Sequence, residues 1–276
     1  MDILNLLKHR RILWAAFSIL FIVIIMAVFT QWLAPYSPYE TNPINRLKAP
    51  SVDHWLGTDR YGRDVLSRVM YGARLSMLIG LSVSGIVLIV GTFSGIVSGY
   101  FSYADSIIMR IMDALMAVPS IMLALALMAI FGAGIRNVII ALAITFIPAL
   151  SRIARGSTLS VREESFVESA RASGAGNFRI ISRHLLPNIL SPIIVHVTIT
   201  FALTLVTEAA LSFLGVGVPP EIPSWGSIIA DGRDYMVRAP WLILAPGIAI
   251  VITVLSVNMI GDAIRDLVDP SLRGVD

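Results

Sequence analysis

Three carboxylates fall inside otherwise apolar runs of this chain: Asp113, Glu208 and Asp262. A charged side chain in hydrocarbon is costly, so such residues default to functional candidates: a pathway contact, a relay, or a hydrogen bond between helices. Asp113 and Glu208 are taken as possible pathway or gate residues, together with Trp225. A structural helix–helix bond is the competing role for both acids. His196 lies in a similar run and reads as structural rather than as a ligand. Little else resembles catalytic machinery. There is no cysteine, so thiolate nucleophiles, disulfides and Cys-based metal sites are excluded. The four histidines form no H-E-x-x-H, and no metal site is expected. The two lysines, Lys8 and Lys48, do not follow glycine, so no P-loop exists to cradle a nucleotide.

The elements that must position these residues are membrane helices. Only 14% of the 276 residues are charged, 56% are hydrophobic and the mean hydropathy is +0.81. The apolar residues come in long runs without a polar face, which argues against a soluble core. We expect six spans, near 12–33, 76–100, 107–131, 138–150, 189–214 and 241–264. The fourth is the shortest. Pro119, Pro148, Pro192 and Pro246 are expected to kink their helices. An inside N-terminus places the larger share of lysines and arginines on the cytoplasmic side, and six spans then leave both termini there. The net charge of +3 is too small to argue for nucleic acid.

Three connections are long enough to carry function: 34–75 and 215–240 outside, and 151–188 inside. In the inside loop Ser160 and Glu163 have capping-box spacing, which predicts a helix start. Gly174 offers a left-handed stop, Asn177 a second cap and Pro187 a second end. The loop reads as two short helices around a glycine elbow, with Phe166, Ala170 and Ser173 on one face of the first and Phe178, Ile181 and Leu185 on one face of the second. Two uses stay open. The hairpin lies on the lipid surface, or it docks a cytoplasmic partner through Glu168, Ala170 and Gly174. In the first outside loop "DRYGRD" lacks calcium-loop spacing. Val65, Leu66, Val69 and Met70 suggest a short helix on the outer membrane surface. Trp225 and Trp241 suggest interface anchors, and the proline-rich second outside loop reads as a packed cap or a gate.

The stretch "ESARASGAGNFRIISRHLLP", from Glu168 to Pro187, resembles the EAA loop of ABC-transporter permeases. Glu168, Ala170, Gly174, Leu186 and Pro187 match that pattern, and Ser169 departs from its central alanine. "HWLGTDRYGRDVLSRVMYGARLS" (54–76) and "LSFLGVGVPPEIPSWGSIIADGRDYM" (211–236) are similar to segments of the dipeptide/oligopeptide/nickel permease family, of its "C" subunits in particular. The resemblance implies an all-α polytopic fold of the type I importer class with six transmembrane helices and a cytoplasmic coupling helix. It implies an N-terminal part, 1–75, and a permease core, 76–276. It implies no catalysis and no cofactor in this chain, with ATP and magnesium bound by partner subunits. The implied partners are a homologous second permease, two ABC ATPase subunits, an extracytoplasmic substrate-binding protein and membrane lipid. Glu168, Ser169, Ala170, Gly174, Leu186 and Pro187 become candidates for ATPase coupling. Arg60, Arg63, Asp64, Asp231 and Arg233 become candidates for docking the binding protein. The implied cargo is dipeptides or oligopeptides, with nickel chelates or oligosaccharides as alternatives, and the implied location is a prokaryotic cytoplasmic membrane. A stand-alone secondary carrier is the alternative of another class.

Overall fold

The computed structural model describes the backbone of residues 3–268 and the side chains of residues 13–265. Among the described residues there is no strand, only one isolated bridge between Thr58 and Asp64. The helices are α1 (Ile3–Val28), α2 (Thr30–Leu33), α3 (Val65–Tyr100), α4 (Ser102–Met116), α5 (Ser120–Phe131), α6 (Ile135–Arg162), α7 (Ser165–Ala172), α8 (Asn177–Ile180), α9 (Leu186–Phe213), α10 (Trp225–Gly232) and α11 (Trp241–Val268).

Four helical stretches are long and apolar enough to cross a membrane: α3, α6, the run Asn177–Phe213 and α11. The pair α4 and α5 makes a fifth if counted as one broken span. The expected count of six is not reached by length and composition. The described apolar part of α1, Leu13–Val28, is shorter than the others. The expected single span at 107–131 is corrected: α4 and α5 meet at 91°. Pro119 lies in the break, lacks an N–H and disfavours helical backbone at Val118, so the chain turns instead of kinking. Pro148, Pro192 and Pro246 do lie inside helices.

Two further expectations change. The helix expected at 138–150 runs through Arg162. Ser151, Ala154 and Thr158 are buried at helical spacing, and that face continues the helix beyond its apolar run. Val65 opens no separate surface helix but the first turn of α3, whose 36 residues span roughly 54 Å at 1.5 Å per residue.

The chain divides into two compact units. The first holds the described residues to Ser82, Ala124–Leu142 and Phe201–Ile260. Its core gathers Val65, Val69, Ala73 and Met77 of α3, every fourth residue, with Phe201, Leu205, Trp225, Ile228 and Leu242. Trp225 is fully buried there: its indole N–H donates to the Val69 carbonyl at 3.0 Å and its backbone N–H to Ser76 Oγ at 3.1 Å. It is therefore a core residue, not the interface anchor expected above.

The second unit holds Val83–Leu123, Ala143–Thr200 and the described residues from Gly261. Its axis is a close approach of α3 to α6 along Gly91, Gly95 and Gly99, spaced every fourth residue. A Cβ on Gly95 would lie 2.5 Å from Ala154 Cβ and 2.6 Å from the Ser151 carbonyl oxygen. Gly99 meets Thr158 and Gly91 meets Leu150 in the same way. Ser94 and Ser151 hydroxyls pair across this seam at 2.6 Å. Small residues that let backbones touch are how helices pack where lipid removes the hydrophobic drive.

Candidate functional site

The connection after α6 forms the helical hairpin that the sequence suggested, with a different construction. Ser160 and Glu163 cap nothing, because α6 is still helical to Arg162; α7 starts at Ser165 after Glu164, without a side-chain cap. Its far end is a Schellman stop: Gly174 N–H donates to the Arg171 carbonyl and Ala175 N–H to that of Ala170, both at 3.0 Å. Gly174 holds φ +80°, a left-handed backbone that glycine adopts without strain.

Asn177 is the first residue of α8 rather than its cap. Gly176 occupies the cap position, and the Asn177 side-chain oxygen accepts the Tyr100 hydroxyl at 2.9 Å. Pro187 does not end the second helix. A π-helical turn, Ile181–Leu185, joins α8 to α9, and Leu186 N–H reaches back to the Ile181 carbonyl. The wider turn accommodates the missing Pro187 N–H, and the Asn188 side-chain amide donates to the His184 carbonyl at 2.6 Å.

The hairpin's buried face is Val167, Ile180 and Leu185, packed against Tyr100 and Val161. Phe166 and Phe178, each expected on one face of its helix, are 41% and 85% exposed. Glu168, Ser169, Gly174 and Pro187 are exposed as well, with Ala170 and Leu186 half-buried. The structure thus collects all six coupling candidates on one hairpin. It adds Phe178, an exposed aromatic on the same hairpin.

The intramembrane acids separate. Asp113 pairs with Arg152 at 2.6 Å, with both side chains about half exposed, and Asp105 takes the Arg155 fork at 2.5 and 2.6 Å. These are ion pairs between α4 and α6. Glu208 is buried. One carboxyl oxygen accepts the hydroxyls of Ser212 at 2.8 Å and Ser224 at 3.0 Å, and the other lacks a partner among the described residues. Ser224 also begins α10 in a reciprocal capping box with Ser227. Glu208 therefore joins α9 to the start of α10, beside Trp225. His196 lines a cleft of roughly 470 Å³ with Asn188, Ser191 and Arg265.

The charged residues of 54–68 turn inward. Asp59 accepts from Arg63 Nε at 2.5 Å and Arg68 Nη1 at 2.6 Å, while Asp231 lies 3.0–3.2 Å from Arg63, Arg68 and Arg60. Burial pushes the Asp231 carboxyl above the usual carboxylate range, against the opposite pull of Arg63 and Arg60. Asp64 accepts from Ser67 and from His54 Nδ1 at 2.9 Å. Asn45 fixes the tautomer: its oxygen accepts from Lys48 at 2.7 Å, so its amide N–H donates to His54 Nε2 and leaves the proton on Nδ1. Arg63, Asp64 and Asp231 are buried, so they brace the loop and present no free charge. Arg60 is partly exposed and Arg233 exposed.

Comparison with known proteins agrees with this architecture. Residues 88–274 match the family model of the binding-protein-dependent transport system inner membrane component. Residues 1–50 match the N-terminal TM domain of oligopeptide transport permease C. The dipeptide transport system permease protein DppC of Alkalihalophilus pseudofirmus is 43% identical over 268 residues, covering 97% of this chain and 88% of that one. The glutathione transport system permease protein GsiD of Escherichia coli O6:K15:H31 is 42% identical over 269 residues, with the same two coverages of 97% and 88%. Among solved structures, an inward-facing MetNI methionine ABC transporter chain superposes with a TM-score of 0.63 at 18% identity, over 73% of this chain and 96% of that one. That likeness is one of fold: the all-α, multi-pass fold of a type I importer permease. The chain belongs to the family of binding-protein-dependent transport system inner membrane components and is a C-type membrane permease of an ABC importer.

Proposed function

We propose that this chain forms half of the pathway of an ATP-driven importer for dipeptides and related short peptides, and that residues 151–188 are the seat of an ATPase subunit. The observation that carries the reading is the hairpin. Its apolar face is locked onto the ends of α3 and α6, while Glu168, Ser169, Gly174 and Phe178 face outward from a rigid base. A partner can approach the Gly174 backbone closely, because none of the described residues lies within 4 Å of the position a Cβ would take.

The rest of the assembly follows from that reading. A homologous permease supplies the other half of the pathway, two ABC ATPase subunits bind and hydrolyse ATP, and a binding protein delivers cargo from outside. This chain performs no catalysis. Both termini face the cytoplasm of a prokaryotic cell, the 1–75 part serves as an accessory to the 76–276 core, and Arg60 and Arg233 are the charges available to the binding protein. Arg63, Asp64 and Asp231 shape that docking surface from beneath. Glu208, Asp113 and Trp225 act by fixing the helices that border the pathway. The names of the DppC and GsiD relatives supply the cargo class.

The test is uptake in proteoliposomes holding the whole complex. Gly174→Trp and Glu168→Arg are expected to lower ATP-driven uptake at least about tenfold, with the permease still inserted and the ATPase subunits lost or uncoupled. Wild-type uptake in both variants would overturn the seat. Uptake by the permease pair without ATPase subunits would overturn the importer reading and favour a secondary carrier.

A further inference from the structure

We infer that Arg162 and Tyr100 are positioning residues of the coupling step: Tyr100 binds the hairpin to α3 and Arg162 binds α3 to the end of α6, so that both helices move with it. The inference rests on the hairpin being the ATPase seat. By covalent connection alone the hairpin belongs to α6 and α9, and α3 ends at Tyr100, 65 residues before α7 begins at Ser165. Noncovalent contacts bring α3 in. Arg162, the last residue of α6, donates from Nη1 to the Gly99 carbonyl at 2.9 Å and from Nε to Glu163 at 3.0 Å.

Gly99 lies in the final turn of α3, where carbonyls have no helical N–H to receive. A guanidinium there satisfies one of them and complements the negative end of the helix dipole. Tyr100, the last residue of α3, donates its hydroxyl to Asn177 at the start of α8, and its ring packs on the hairpin core of Val167, Ile180 and Leu185. Directly before these two bonds the helices are already in contact through Gly95, Gly99, Ala154 and Thr158. The clasp therefore closes the end of a seam that has no slack. A push on the hairpin reaches α3 directly through Tyr100 and, by way of the short turn at Glu163 and Glu164, through Arg162 and the glycine seam.

Arg162→Met keeps the stem and removes the donors; Tyr100→Phe removes one hydroxyl and nothing else. In the reconstituted complex, uptake per ATP hydrolysed is expected to fall about tenfold in Arg162→Met and a few-fold in Tyr100→Phe, while the ATPase subunits still co-purify. Arg162→Lys, which can still donate to a carbonyl, is expected to recover part of the loss. An unchanged ratio in Arg162→Met and Tyr100→Phe would overturn the inference. So would loss of the ATPase subunits, because the residues would then only shape the seat. Gly174→Trp separates the two ideas: if it abolishes coupling while Arg162→Met does not, the seat stands and the clasp falls. If neither variant has an effect, the seat itself falls.

Discussion

Gly95→Leu is expected to separate α3 from α6 and to destabilise the permease by about 3 kcal/mol or more, the upper range for forcing extra carbons into a packed seam. The side chain would start with its Cβ 2.5 Å from Ala154 Cβ and 2.6 Å from the Ser151 carbonyl oxygen. One of those neighbours is backbone, which no rotamer can relieve. The helices must part, and parting them breaks the Ser94–Ser151 bond and the contacts at Gly91 and Gly99. Even Gly95→Ala keeps the clash, so its cost is expected to exceed the gain in helix propensity of about 1 kcal/mol. Gly85→Leu in the same helix is the control, since none of the described residues lies within 4 Å of its Cβ position. The measurements are the thermal midpoint in detergent and an oxidative cross-link between Ser94→Cys and Ser151→Cys. The chain has no other cysteine to confuse that cross-link. A wild-type midpoint and an intact cross-link in Gly95→Leu would show that the seam is not what holds these helices.

The sequence already displays the spacing of that seam, G-x-x-x-G-x-x-x-G from Gly91 to Gly99, but nothing in a single chain says which helix fills it. The same limit explains the errors around the hairpin. S-x-x-E at Ser160 is a helix start only if a helix has ended before it. Whether α6 ends at Leu150 or Arg162 is decided by Ala154 and Thr158 finding glycines fifty-nine residues earlier. Gly174 was legible because its signal is local: a helix-forming run followed by the one residue that takes a positive φ cheaply. Pro187 misled for the opposite reason. A proline's local signal is termination, yet a π turn and the Asn188 side chain absorb it. The buried face of the hairpin, Val167, Ile180 and Leu185, was not legible because α7 and α8 are too short, at 8 and 4 residues, for periodicity to fix a face. The family resemblance rested on motif letters at 54–76, 168–187 and 211–236 and was carried by them, independently of these local errors.

Charge was the other blind spot, since arginines and aspartates in a loop are ordinarily read as surface. Here that reading inverts. Asp59 is 2% exposed and Arg68 is 1% exposed, and three guanidinium groups share the carboxylates of Asp59 and Asp231. Removing one partner of a buried pair strands the other, so Asp59→Ala is expected to cost about 3–5 kcal/mol. It removes four acceptor contacts at once: Arg63 Nε, Arg68 Nη1, and the backbone N–H groups of Tyr61 and Arg63. Asp59→Asn keeps the last two but turns an N–H toward a guanidinium, so it is expected to recover only part of the loss. Arg68→Met should cost less than Asp59→Ala, because Arg68 Nε and Nη2 already lack hydrogen-bond partners among the described residues. The double variant should cost less than the sum of the two, since fewer buried charges are left unpaired.

High salt separates this picture from a surface network. Exposed pairs are screened within about 10 Å at 0.1 M, whereas a buried cluster is insensitive. Unfolding midpoints of the wild type and Asp59→Ala should therefore keep their difference from 0.05 to about 0.5 M salt. A difference under about 0.5 kcal/mol, or one that vanishes with salt, would return these residues to the surface role their composition suggests. A large and salt-independent loss would identify the cluster as the clamp that holds α10, through Asp231, to the first turn of α3, through Arg68. The loop offered to a binding protein would then be a rigid extension of α3 itself.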